Sequence, residues 1–331
     1  MRKEYYMNDK FDTPILFIVF NRPDTTKVVF ECIRKLRPTK LFVAADGPRK
    51  GHPTDAEDCR LTREVVSNIN WPCEVRILFR EKNLGCRVAP PQAVSWFFQN
   101  VDRGIVIEDD CVPEQSFFYF CKELLLKFEN NEKVMHISGN NYQRNNKNFN
   151  NSRSYYFSQI PQMWGWASWK RAWQFYDIDM KDWPRYRDAK KIFNIFIDNT
   201  AVGVMFTELL ERYYNGKNSW DGQWIFAIFK NNGICINPNL NLVKNIGFDD
   251  RATHTKNEDG EFSQIATNRV SFPLIHPDKI GVDRAADDYT YKNQFSVNKN
   301  LATKIKFLLK YKFKNSYTFI KDVLIWVHNL K

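Results

Sequence analysis

Gly104-Ile105-Val106-Ile107-Glu108-Asp109-Asp110-Cys111-Val112-Pro113 is the stretch on which the reading of this chain turns. A short run of β-branched apolar residues enters three consecutive carboxylates, and a proline follows. Such a run, bounded by turn-forming residues, is the pattern of a buried strand. Three acids cannot share a dry interior, because unpaired buried charge costs more than core packing returns. They belong where the strand leaves its sheet, facing solvent, a cation or a ligand. In open α/β sheets the ligand crevice lies beyond the carboxyl ends of the strands, which is where these acids fall. A carboxylate cluster there offers the hard oxygens taken by a divalent cation that bridges phosphates. The plainer alternative is a solvated acidic turn, with Glu114 adding negative charge at the start of a helix.

Outward from this stretch, the preceding hundred residues repeat one design. Ile15 to Phe20 is a continuous apolar run that ends at Asn21-Arg22-Pro23-Asp24. Lys40 to Ala45 ends at Asp46-Gly47-Pro48, and Cys73 to Phe79 ends at Arg80. Between them lie helical patterns, one through Leu36, one over about Thr54 to Ile69 and one over Gln92 to Asn100. Strands alternating with helices on short links define a mostly parallel, right-handed sheet with helices on both faces. Four strand ends carrying polar residues therefore meet at one edge, and together they build a site. No G-x-G-x-x-G or G-x-x-x-x-G-K-[ST] follows the first strand, which argues against a dehydrogenase Rossmann domain and a P-loop enzyme.

The whole chain sets the surroundings. Its 331 residues allow ample core. Seven scattered Cys form neither a C-x-x-C pair nor a zinc spacing, which suits a reducing compartment. No signal-peptide core follows Met1, and Ile15 to Phe20 is too short to span a bilayer. The expected location is therefore cytoplasmic, peripheral on the cytoplasmic face of an inner membrane. A formal charge of +11 favours anionic partners.

Downstream, Phe117 to Phe128 is an amphipathic helix, and His136 to Asn141 is a strand with a small, polar end. Trp166, Trp169 and Trp173 have helical spacing and read as a core face. Gly165, between Trp164 and Trp166, instead suits close backbone approach to a sugar or phosphate. Asp221 precedes an apolar helix and is flanked by Trp220 and Trp224. As an N-cap it would contribute about 1 kcal/mol; as a free carboxylate it could act on a substrate. Residues 256–300 are polar and irregular. Residues 301–331 interleave Lys with Phe, Leu, Ile and Trp. That pattern is a basic amphipathic helix for an anionic membrane surface, or a helix docked on the domain. Nucleic acid is not an expected partner, since no recognition motif accompanies the charge.

The ordered landmarks resemble a known family. Phe20-Asn21-Arg22-Pro23, Asp46-Gly47-Pro48, Asn83-Leu84-Gly85-Cys86, Glu108-Asp109-Asp110-Cys111, Trp164-Gly165-Trp166 and Trp220-Asp221 with Trp224 are similar to those of GT-A-fold glycosyltransferases. Among these the chain looks like the bacterial hemolysin-like relatives of N-acetylglucosaminyltransferase I, the family 13 type, over about residues 13–254. The resemblance implies a GT-A catalytic domain over 1–255, a connecting segment over 256–300 and an amphipathic C-terminal tail over 301–331.

It also implies roles by position. Asn21 and Arg22 would contact the diphosphate of a UDP-sugar, and Asp46 with Gly47 the base. Asp110 would ligate Mn²⁺ or Mg²⁺, with Glu108 and Asp109 nearer the ribose and the metal's water shell. Asp221 would be the general base, although Gly222-Gln223 depart here from the family's W-D-D-W. Arg80, Arg87 and His254 are further candidates for phosphate. Trp164, Gly165, Trp166 and Trp220 would face the sugar or acceptor. The implied activity is inverting, metal-dependent transfer of a sugar to a hydroxyl of a surface-glycan or glycolipid acceptor, as in lipopolysaccharide or capsule. Two alternatives stand beside it. One is a nucleotidyltransferase making a sugar nucleotide, whose usual Gly-rich, basic first loop is missing after Phe20; the other is a non-catalytic nucleotide-sugar-binding protein.

Overall fold

In a computed structural model, residues 10–149, 152–197, 199–248 and 265–295 are described. His254 and the tail 301–331 lie outside them, and so does the amphipathic helix expected there. Among the described residues no helix is long and apolar enough to cross a membrane.

The first half of the chain winds as its sequence pattern requires. Strands β1 (Ile15–Val19), β2 (Lys40–Ala45), β3 (Glu74–Phe79) and β4 (Arg103–Glu108) alternate with helices α1 (Pro23–Leu36), α2 (Asp55–Ser67) and α3 (Ala89–Asn100). The four strands pair in parallel in the order β3-β2-β1-β4. Successive side chains of a strand point to opposite faces, and each face has its own core. Phe17, Val43 and Ile107 meet Phe30 and Ile33 of α1, whereas Leu16, Phe42 and Val106 meet Val94 and Phe97 of α3. Pro90 and Pro91 fall in the first turn of α3, where the helix needs no backbone N–H donor.

The second half completes a mixed sheet. β5 (Cys111–Pro113) leaves the acid triplet, α4 (Gln115–Lys127) follows, and β6 (Val134–Ser138), β7 (Tyr155–Ser158) and β8 (Trp166–Trp169) come next. Short helices α5 (Lys170–Trp173), α6 (Trp183–Asp188) and α7 (Ile192–Ile195) lead to α8 (Thr200–Tyr214) and α9 (Asp221–Lys230). Strands β9 (Ile234–Pro238) and β10 (Val243–Asn245) precede α10 (Arg284–Asn293). The sheet runs β3-β2-β1-β4-β8-β6-β9-β7, with β10 and β5 forming a separate antiparallel ribbon. β8 is antiparallel to both β4 and β6, so β6 and β9 run in the same sense as β1 and β4. Their carboxyl ends therefore share one edge with the acids.

Two expectations change. The Trp166–Trp169 segment is a strand, not part of a helix. All four of its residues are buried in the middle of the sheet, which erases the alternation that would have marked it. The described part of 256–300 is built onto the main core rather than merely connecting to the tail. Val270 and Leu274 pack there, the Val270 N–H donates to Ser116 Oγ at 3.0 Å, and the Asp283 N–H donates to the Phe157 carbonyl at 2.8 Å.

Candidate active site

At the carboxyl edge, the end of β1 and the end of β4 are tied by charge. The Phe20 N–H donates to Asp109 Oδ2 at 3.0 Å. Arg22 Nη2 donates to Asp109 Oδ1 at 2.7 Å and to Asp110 Oδ2 at 2.9 Å. One guanidinium thus bridges two of the three acids. Burial pushes Arg22 down, but Asp109 and Asp110 outweigh it and hold the guanidinium above its ordinary value. Burial also drives Glu108 up to about 8, with Asp110, Asp109 and Asp221 adding to the effect. Asp109 rises for the same first reason, opposed by Arg22. The site holds more carboxylate than the one arginine bridging it can balance.

Two clefts open here. The first, about 580 Å³, is lined by Asn21, Arg22, Asp46, Arg80, Glu108 and Asp109 among others. The second, about 300 Å³, is lined by Asp110, Trp164, Tyr213, Trp220 and Asp221 among others. Arg22, Cys86 and Glu108 line both, so the clefts adjoin across the ion pair. Residues from seven separated segments are brought to this rim.

The wall of the larger cleft is fixed by two aspartates. Asp46 accepts from the N–H groups of Gly47, Leu84 and Gly85 at 2.9–3.1 Å and from Asn83 Nδ2 at 2.9 Å. It therefore clamps the loop after β3, with both oxygens already engaged. Asp55 is held by Arg49 through Nε at 2.6 Å and Nη2 at 2.7 Å, and by Asn21 Nδ2 at 2.9 Å. That arginine holds its carboxyl at about 2. Arg49, His52 and Asp55 were not singled out from the sequence, and Asn83 was quoted only as part of a landmark, with no role. Their only signal was proximity to the Asp46-Gly47-Pro48 and Asn83-Leu84-Gly85 landmarks.

Asp221 lines the smaller cleft. The N-cap of α9 is Trp220 and no side chain caps that end, so the Asp221 carboxylate is not spent on capping. Tyr213 Oη donates to it and lies 2.9 Å from both oxygens; Ser219 Oγ also donates to it. Lys217 Nζ in turn donates to Tyr213 Oη at 3.0 Å. Tyr213 and Lys217 were missed in the sequence, because they sit in the last turn of α8 and just beyond it with no motif around them. Gly222 follows from the same contact. A Cβ there would lie 2.2–2.5 Å from the Tyr213 ring, so a second acid after Asp221 would displace the tyrosine.

The remaining candidates divide. Trp164 is partly buried and Trp220 buried, and both line the smaller cleft. Trp166 is fully buried, stacked on His136 at 5.4 Å and tilted against Trp220 at 5.8 Å, so it presents no face to a ligand. Gly165 is also buried. Its φ of +58° and the approach of Val243 to within 3.0 Å of a would-be Cβ account for the glycine by packing, not by a sugar. Arg80 lines the larger cleft. Arg87 donates to the Ile178 carbonyl at 3.4 Å and lines neither cleft. Gly47 contributes its N–H to Asp46.

The resemblance implies a divalent cation. Among the described residues no three His, Cys, Asp or Glu are grouped to hold one unaided. The donor set still fits an ion that arrives with phosphate. Asp110 offers a hard oxygen to the cleft, the carboxylates are in excess, and Mg²⁺ commonly takes one or two carboxylates plus phosphate and water.

The fold and rim define a class: a mixed α/β, Rossmann-like chain with a large central sheet flanked by helices and a polar cleft at the strands' carboxyl edge. Nothing narrower is shown. No protein-family model matches the chain, and no curated protein matches it in sequence. Among solved structures, HddC from Yersinia pseudotuberculosis is similar at 9% identity, covering 50% of this chain and 80% of that one, with a TM-score of 0.31. The inositol-1-phosphate CTP transferase from T. maritima is similar at 8% identity, with coverages of 48% and 72% and a TM-score of 0.27. A UDP-glucose pyrophosphorylase complexed with UDP-glucose shows 7% identity, coverages of 50% and 79% and a TM-score of 0.29. Likeness this slight brings no residue role or activity across.

Proposed function

We propose that the chain is a nucleotide-sugar-dependent transferase, and within that class an inverting glycosyltransferase acting on a glycan hydroxyl. The observation that carries this reading is the placement of Asp221 in a cleft that adjoins the Arg22–Asp109–Asp110 cluster, with its carboxylate held by Tyr213 and Ser219 rather than by a helix end. Inverting transfer needs a base on one side of the anomeric carbon and charge stabilisation on the other.

The nucleotide would lie in the larger cleft, with its diphosphate toward Arg22. The acceptor hydroxyl would enter the smaller cleft and give its proton to Asp221. Its oxygen then bonds to the anomeric carbon as the bond to the diphosphate breaks, and the leaving group departs with the electron pair. Arg22 meets the charge that develops there. A divalent cation held by Asp110 would supply further neutralisation of the leaving diphosphate. A UDP-sugar is the proposed donor.

The second reading is a nucleotidyltransferase that joins a nucleoside triphosphate to a sugar phosphate and releases pyrophosphate. Two of the similar structures carry that kind of activity in their names, at a likeness too slight to decide. One experiment separates the readings. The full chain is screened with nucleotide sugars for nucleoside-diphosphate release, and with nucleoside triphosphates plus sugar phosphates for pyrophosphate release. The glycosyltransferase reading expects the first signal, lowered about 10²–10⁴-fold in Asp221→Asn. Pyrophosphate release alone would replace it with the second reading.

A further inference from the structure

We infer that a third cleft, at the carboxyl ends of β6 and β9, binds the distal part of an oligosaccharide acceptor. The inference rests on the transferase reading above and extends it to the class of acceptor. The cavity measures about 480 Å³, and five Asn and one Gln are among its lining residues. No acid lines it, and Arg144 is its sole charged lining residue. A polyanion such as a nucleotide would call for several cations or backbone donors. Amides carry both a donor and an acceptor, as sugar hydroxyls do; those of Asn141, Gln143 and Asn241 are engaged in building the wall, so the exposed Asn268 and Arg144 are the side chains that would meet the sugar. Leu240, Phe149 and Ile265 add apolar surface for the C–H faces of the rings.

The wall is already ordered. Asn141 Nδ2 donates to the Pro238 carbonyl at 2.6 Å, and Asn241 Nδ2 donates to the Ala266 carbonyl at 3.2 Å. Gln143 Nε2 donates to the Ala286 carbonyl and to Thr290 Oγ1 at 2.9 and 2.8 Å. Side chains fixed in this way lose little freedom when a ligand arrives. Asn268 and Arg144 are exposed at the opening.

One run of chain links the cleft to the reaction site. Asn239 to Asn241 line the amide cleft, and Asn245 and Phe248 on the same run of chain line the cleft that holds Asp221. Asn245 lies four positions beyond Asn241, roughly 13 Å at the rise of a strand. On the other side, Tyr142 follows Asn141 and its ring meets Trp164 edge-on at 5.7 Å. A single sugar at Asp221 would not reach the amide cleft, whereas a chain of several units would.

The test uses a panel of linear neutral and acidic oligosaccharides with their component monosaccharides, titrated into the full chain without nucleotide. Binding of at least one oligosaccharide, tighter than its monosaccharides, is expected. Arg144→Ala, Asn268→Ala or Ala266→Trp, which fills the opening, should weaken it about tenfold or more, roughly the loss of one well-placed polar contact. UDP affinity, measured in the same variants, should not change. No oligosaccharide binding, or binding indifferent to all three substitutions, would overturn the inference. Loss of UDP binding in the unsubstituted protein would instead fault the transferase reading itself.

Discussion

The hydroxyl of Tyr213 lies 2.9 Å from each carboxylate oxygen of Asp221, and Lys217 donates to the same hydroxyl at 3.0 Å. A carboxylate held this way keeps a single orientation toward the cleft. Tyr213→Phe removes one hydrogen bond to a charged group, worth about 1.5–3 kcal/mol. Turnover should fall about tenfold or more while UDP affinity stays constant. Gly222→Ala should do at least as much, since its methyl group would occupy the space of the tyrosine ring. Steady-state rates of nucleoside-diphosphate release, beside a UDP titration, read both. Full turnover in Tyr213→Phe would remove Tyr213 from the mechanism.

Arg22 is the cation that keeps Asp109 and Asp110 together in the absence of ligand. Its side chain is 16% exposed and those of its partners 7% and 15%, so little solvent would take over its task. Arg22→Met should destabilise the free protein by about 3–5 kcal/mol, the cost of leaving a buried charge unpaired. Mn²⁺ should restore part of that loss in thermal unfolding, and restore nothing in an Arg22→Met, Asp110→Ala double variant. A loss of stability unaffected by Mn²⁺ in the single variant would remove Asp110 as a cation ligand. With the unsubstituted protein, EDTA should weaken UDP binding if the cation arrives with the phosphates.

Asp46 makes its contribution through a loop. Asp46→Asn replaces one acceptor oxygen by an NH₂ group facing N–H donors, so at least one of the bonds to residues 83–85 must break. The wall of the larger cleft should loosen, seen as faster amide exchange at Leu84 and Gly85. UDP affinity should fall about tenfold or more, as expected when a positioning contact is lost. Unchanged exchange with weakened UDP binding would mean that Asp46 touches the nucleotide directly.

Much of this architecture could be read before any coordinates. The runs ending at Val19, Ala45 and Glu108 are buried on both faces, so continuous apolar sequence bounded by polar residues marked them as parallel strands, whereas the run ending at Phe79 is a largely exposed edge strand. That their polar ends share one edge followed from the alternation of strand and helix; the order of the strands did not. The tryptophan segment did not follow, because a central strand with every residue buried carries no period, and its 3–4 spacing imitates a helix. Partners brought together only by folding were equally hidden. Nothing near Asp221 points to Tyr213 on another helix, and nothing near Arg22 shows that it faces Asp109, 87 residues away. The residues of the site were visible as types, but which oxygen faces which nitrogen is decided by packing.

Asp287 provides a test of how α10 is held against the sheet. It is buried, accepts from Ser158 Oγ at 2.5 Å and from the Gln159 N–H at 2.9 Å, and burial lifts it to about 7 from 3.8. Asp283 and Asp288 add to the rise. Between those two pH values the folded protein keeps a proton that the unfolded chain has lost. Stability therefore falls as pH rises through this window, by at most about 1.4 kcal/mol per pH unit. Asp287→Asn retains an acceptor oxygen and carries no titrating proton. Relative to the unsubstituted protein, the variant should gain stability from pH 4 to pH 7 and stay level above that. His136, pushed by burial to about 4, acts in the opposite sense between pH 4 and 6.5, but equally in both proteins, and so drops out of the difference. Denaturant midpoints at pH 5 and pH 8 measure it. A difference that does not change with pH would show that Asp287 is already ionised in the fold, with its two donors outweighing the burial.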